Sequence, residues 1–139
     1  YDYRFERVWK NPDSDIEKLS RTTDILNTHR QDDWIDIHNL KILEYGSYSY
    51  IECDLTLPWY YTVAQGHRSC ESLAEIMQRE SGEKITFSVH ADSCNERHCH
   101  HCLMSDCPYR KNAFVAEEPL DLRQIVESDE EHSAETGPA

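Results

Sequence analysis

WIDIHNLKILEYGSYSYIECDLTLP, residues 34–58, carries two hydrophobic phases joined by a turn. In its first half Ile35 and Ile37 alternate with polar residues, and the apolar phase then slips by one to Leu40 and Ile42, with His38 and Asn39 at the slip. Side chains along a strand alternate between faces, so this slip predicts a strand with a bulge or bend at His38. Glu44-Tyr45-Gly46-Ser47 reads as a hairpin turn. The returning strand points Ile51, Cys53, Leu55 and Leu57 one way and Tyr50, Glu52, Asp54 and Thr56 the other, until Pro58 ends it.

The flanks of this hairpin read as helices and a third strand. Upstream, Ser14 and Glu17 have the form of a capping box, and Ile16, Leu19, Thr23 and Leu26 recur at helical spacing to about Asn27. Downstream, a helix runs from about Thr62 to Glu80 and stops at Ser81-Gly82, with an apolar stripe of Val63, Cys70, Leu73, Ala74 and Met77 and with His67 on the line of that stripe. A strand follows, with Ile85, Phe87, Val89 and Ala91 on one face and Thr86, Ser88, His90 and Asp92 on the other. The order αββαβ predicts an α+β fold: a small open sheet with both helices on one face. The polar face is left uncovered, and a partner subunit is the common use for such a face.

At 139 residues the chain suits a single domain. Its 14 basic and 27 acidic residues give a net charge of −13, which speaks against a nucleic-acid groove and suits cations. No run approaches the ~20 apolar residues of a membrane-spanning helix, and no signal peptide is visible at the amino terminus. Starting at a tyrosine, the sequence reads as a piece of something longer or as a processed product. The segment 116–139 contributes eight acidic residues against one arginine, and its composition predicts an acidic, partly disordered tail.

Residues 90–108, HADSCNERHCHHCLMSDCP, hold four of the six cysteines and four of the eight histidines. Cys94, Cys99, Cys102 and Cys107 are spaced C-x4-C-x2-C-x4-C. A central C-x2-C lets two thiolates grip one ion from a single turn, and the outer pair can close a tetrahedron, so the spacing reads as a zinc loop. Such tight clustering favours reduced thiols over a disulfide framework; the competing reading is a Cys99–Cys102 disulfide. His98, His100 and His101 read as spare ligands, groups behind the ligands, or exposed passengers. His90 and Asp92, two apart on a strand, point to one side and form a ligand pair. With His38, Asp54 and His67 they make a pool of imidazoles and carboxylates suited to a first-row metal, set against the plainer reading of separate surface residues and a core histidine at His67. No HExxH helix, nucleophile elbow or glycine-rich phosphate loop appears, so the chain is not read as an enzyme.

From about Ile16 to Cys94 the sequence resembles the cytosolic C-terminal domain of cation diffusion facilitator transporters, most clearly in Trp34–Gly46, Ile51–Leu57 with Ala64-Gln-Gly-His67, and Phe87–Cys94. The resemblance implies a ferredoxin-like, metallochaperone-like αββαβ domain that forms a homodimer, binds zinc or another divalent cation near the subunit interface, and lies on the cytoplasmic side of an attached transmembrane domain. It maps the family's metal positions onto His38, His67, His90 and Asp92, with Asp54 where some members carry histidine. The implied organisation is a linker at 1–13, the domain at 14–93, a Cys/His-rich metal loop at 94–115 and the tail at 116–139. The implied function is metal sensing and dimerisation in an efflux transporter; a free-standing metallochaperone or storage module is the alternative, and a zinc hydrolase ranks third.

Overall fold

A three-stranded mixed sheet organises the protein, with strand order β1-β2-β3, β2 antiparallel to β1 and parallel to β3. The computed structural model describes residues 12–82 and 84–127, with side chains from residue 16 onward. The Ser14 side chain, the lead-in before residue 12 and the acidic run beyond 127 lie outside that description, and the helical backbone from Pro12 puts Ser14 inside the first turn and not ahead of it.

Helix α1 spans Pro12–His29. It turns Leu19, Thr22, Thr23 and Leu26 inward, and the Thr23 hydroxyl is satisfied by donating to the Leu19 carbonyl at 2.7 Å. Ile16, expected on that face, is exposed because the apolar contact begins a turn later. Strands β1 (Asp36–Tyr45) and β2 (Tyr48–Leu57) form the hairpin. Gly46, at φ 60°, takes the first central position of the two-residue turn, the conformation that glycine adopts at least cost.

The slip in β1 is a bulge. Pairing passes from His38↔Asp54 to Lys41↔Glu52, so Asn39 and Leu40 together oppose Cys53. Asn39 absorbs the distortion at φ 56°, a left-handed conformation that asparagine tolerates. Its amide donates to the Glu127 carbonyl at 2.8 Å, so the C-terminal segment holds the bulge from outside the hairpin.

Parallel pairing of β2 with β3 (Ile85–Ser93) requires a long crossover, which helix α2 (Val63–Ser81) supplies. Thr62 and Gln65 close a reciprocal capping box at its start: the Thr62 hydroxyl accepts from the Gln65 amide at 3.1 Å, and Gln65 Oε1 accepts from the Thr62 amide at 2.9 Å. Gly82, left-handed at φ 64°, ends the helix. The buried stripe is Gly66, Leu73 and Met77, with Cys70 and Ala74 beside it. His67 lies about 100° around the helix from Gly66, which takes it off the stripe, and it is largely exposed. Val63, in the first turn, is 92% exposed. These two placements correct the stripe drawn from spacing.

Leu26, Leu73 and Met77 from the helices meet Ile37, Ile42, Ile51, Cys53, Leu55 and Phe87 from the strands in one apolar core. This is the expected α+β arrangement, a mixed sheet with flanking helices. After β3 come a 3-10 turn at Glu96–His101, an extended segment, and a short helix α3 at Leu122–Val126 that packs on β1 and α1. Leu120 and Ile125 are buried in the core, a docking that composition alone does not announce. No helix among the described residues is long and apolar enough to cross a membrane.

Candidate metal centre

Beyond β3 the chain stays on the sheet for one more residue, because the Cys94 amide donates to the Leu57 carbonyl at 2.9 Å. The Cys94 sulfur accepts from the Trp59 amide at 3.3 Å. Asn95 then caps the 3-10 turn, its side chain accepting from the Arg97 amide, while its own amide donates to His98 Nδ1 at 3.0 Å. That bond makes Nδ1 an acceptor and leaves the proton of the neutral ring on Nε2. The Cys102 amide donates to the Cys99 carbonyl, and the Cys107 amide to the Met104 carbonyl, so each of the two later cysteines closes a tight turn.

These turns bring Cys94, Cys99, Cys102 and Cys107 to the wall of one cavity of about 620 Å³, beside Trp59 and Tyr109. All four are free thiols. Burial pushes the Cys94 and Cys102 thiols upward, and the neighbouring sulfurs push further in the same direction. Amide donors from Trp59 and Met104, and for Cys102 the charge of Arg110, pull back. A cluster whose sulfurs resist joint ionisation is the environment in which a bound cation has the most to contribute. The sulfurs are not drawn into a tetrahedron: among the described residues, no three of them come within 4.8 Å of one another.

Arg110 holds this loop together. Its guanidinium donates to the carbonyls of Cys99 at 2.6 Å, Cys102 at 2.9 Å, Met104 at 3.1 Å and Asn112 at 3.3 Å. A loop with so little apolar burial must satisfy its carbonyls individually, and one planar, five-donor group satisfies four. Nothing in the local sequence marks Arg110 for this role, since its partners are backbone atoms brought near by folding.

On the polar sheet face, His38, Asp54 and His90 occupy one row across the three strands, paired His38↔Asp54 and Asp54↔His90. Asp92 sits one row further, opposite Thr56. His90 and Asp92 are exposed, Asp54 is half-buried, and His38 is buried with Nε2 2.9 Å from Asp36 Oδ2. Burial alone would raise the Asp36 carboxyl, but the hydrogen bond and charge of His38, the charge of His101 and the Ile37 amide outweigh it and hold Asp36 below the usual carboxylate range. His67 does not join the row. It pairs with Glu71 at 3.4 Å and borders, with Asp92, a cleft between the start of α2 and the end of β3.

Among the described residues, the convergence of three donor groups falls where spacing does not point. Ligand atoms of His100, His101 and Glu118 all lie within 4.8 Å of one another. His98 and His101 are buried, which removes them from the class of exposed passengers. Glu118 escaped notice because it stands in an acidic run where each carboxylate looks like its neighbours.

Residues 15–94 match the family model described as cation efflux protein, cytoplasmic domain. Among solved structures, one of CzrB, a candidate zinc transporter, aligns at 20% identity with a TM-score of 0.52, covering 57% of this chain and 95% of that one. The MamB C-terminal domain, a magnetosome protein of Desulfamplus magnetovallimortis BW-1, aligns at 21% identity with a TM-score of 0.50, covering 58% and 96% respectively. At these identities the two structures speak to the fold. No curated protein sequence matches.

Proposed function

Because the chain belongs to the cation efflux protein family through its cytoplasmic domain, a part of a transporter and not an enzyme, we propose that it senses a divalent cation, zinc foremost, and dimerises in response. The observation that carries this reading is the row His38–Asp54–His90 across the sheet, buried at His38 and exposed at its His90 end, with Asp92 beside that end and His67 across the adjoining cleft. Imidazole and carboxylate are zinc ligands, and a second copy docking on the exposed His90–Asp92 end would bring two such pairs together. Metal bound between copies would stabilise the dimer by mass action, which is how occupancy becomes a signal to an attached transmembrane domain. On this reading residues 1–13 link to that domain, 14–93 form the sensor, 94–115 the metal loop and 116–139 the tail, and the assembly faces the cytoplasm.

The thiol cavity is the second part of the proposal. Cys94, Cys99, Cys102 and Cys107 would hold a structural zinc, closing inward from the cavity wall and relieving the mutual repulsion of their thiolates.

Sedimentation velocity in a zinc titration tests the sensor. Zinc is expected to strengthen dimerisation, and His90→Ala with Asp92→Ala to weaken that response at least about tenfold without unfolding the domain; an unchanged response in the double variant would refute the site. Elemental analysis of protein purified without added metal is expected to find about one zinc per chain in the thiol loop. Metal-free protein carrying a Cys99–Cys102 disulfide after reducing lysis removes that part.

A further inference from the structure

We propose that His100, His101 and Glu118 form a separate divalent-metal site, outside the cysteine cavity and the polar sheet face, which fastens the C-terminal segment to the domain. Two imidazoles and a carboxylate are a donor set for zinc and its neighbours, and their ligand atoms already lie within 4.8 Å of one another. Three protein ligands leave one tetrahedral position for water or a fourth donor.

His101 distinguishes this cluster from an ordinary surface pair. Alone, the contact of His100 Nε2 with Glu118 Oε2 at 3.1 Å between half-exposed side chains would be a solvent-screened ion pair of little consequence. His101 is only 6% exposed, and its Nδ1 has no hydrogen-bond partner among the described residues. A buried nitrogen left unsatisfied is costly, and a metal ion satisfies it. The other ring nitrogen, Nε2, lies 3.9 Å from Asp36 Oδ2, beyond hydrogen-bond reach but close enough for the charge of that carboxylate to favour a cation beside the ring. Asp36 is itself fixed by the Ile37 amide at 2.9 Å.

Backbone contacts hold the two sides of the cluster together. The amides of Val115 and Ala116 both donate to the His100 carbonyl, at 2.7 and 3.2 Å, and Arg30 Nη1 donates to the Glu118 carbonyl at 2.8 Å. The Glu118 side chain is therefore presented to the histidines by a positioned backbone. Metal here would cross-link the 3-10 turn to the segment leading into α3, adding to the Arg30–Glu118, Asn27–Leu120 and Asn39–Glu127 bonds and the buried Leu120 and Ile125 that already hold it to the domain.

Zinc titration of the full chain, followed by the ring-nitrogen NMR signals of its histidines, tests the proposal. The His100 and His101 signals are expected to move together in one step, and zinc is expected to slow hydrogen exchange at the Ile125 amide. His100→Gln and Glu118→Gln, both at half-exposed positions, are expected to weaken that step at least about tenfold and to abolish the exchange effect. In the same variants the thiolate-to-cobalt absorption of cobalt-loaded protein and the His90 signal stay as in the parent chain. Loss of the thiolate absorption or of the His90 response alone would fault the sites described above and leave this one standing. His100 and His101 signals that stay fixed until zinc exceeds protein about a hundredfold, or that respond identically in both variants, would overturn the proposal.

Discussion

The sheet domain and the segment that follows it are built on different physics. Within residues 15–94 stability comes from contiguous apolar burial: Leu26, Ile37, Leu55, Leu73 and Met77 are almost wholly withdrawn from water. From Cys94 to Glu127 only Cys102, Leu120 and Ile125 are buried apolar residues, and order rests on polar clamps through Arg110, Asn112, Arg30 and Asn27. Net hydrogen bonds each contribute little because water competes for the same groups, whereas burial accumulates with area. The difference teaches where a bound metal would contribute most: a segment too small for a core of its own depends on cross-links, and this is the segment richest in thiols and imidazoles.

The comparison is most exposed to failure at the core. Leu55→Ala or Leu73→Ala is expected to cost about 2–5 kcal/mol and to lower the denaturant midpoint of the entire domain; a loss confined to the C-terminal segment would break the distinction. Arg110→Ala is expected to cost about 1.5–3 kcal/mol locally, seen as faster hydrogen exchange from Cys99 to Met104 with β2 and α2 unchanged. Asn27→Ala removes the reciprocal pair with Leu120, both bonds at 2.9 Å. Its expected cost is about 1 kcal/mol, read as loosening of α3 while the hairpin stays protected.

The smallest expected effect lies at the junction of the hairpin and α2. Burial, then the hydrogen bond Tyr61 donates to Asp33 at 3.0 Å, push the Tyr61 phenol from 10.0 up to about 12. Its proton is thus held more tightly in the folded state, so its contribution is complete below pH 10.0 and is lost as pH rises through about 12. Ultraviolet titration should show this late ionisation, and Tyr61→Phe should flatten the stability profile across the same interval. Early ionisation of Tyr61 would show that this junction is wetter than the core it borders.

Much of the domain was legible because its signals are local. The phase slip at His38–Asn39 foretold the bulge, and Thr62 and Ser81-Gly82 marked the ends of α2, since strand period and helix caps depend on residues a few positions apart. Alternation also placed Asp54 and His90 on the polar faces of their strands, with His38 at the slip. It could not show that the register would align them in one row, nor that His38 would be buried against Asp36. His67 was misjudged because one residue of helical rotation separates the buried stripe from solvent. Glu118, Leu120 and Ile125 were illegible because their partners are remote in sequence and their own stretch has no period, and Arg110 because its partners, though near in sequence, are backbone carbonyls that no side-chain pattern announces.

By itself the sequence determined the alternation, the caps and the inventory of donor groups, because those follow from side-chain chemistry and from backbone geometry over a few residues. Only the tertiary structure decided which donors meet. His101 lies between Asp36 and Glu118, 65 positions after the first and 17 before the second (101 − 36 and 118 − 101), and only the packed sheet with its returning C-terminal segment closes those distances.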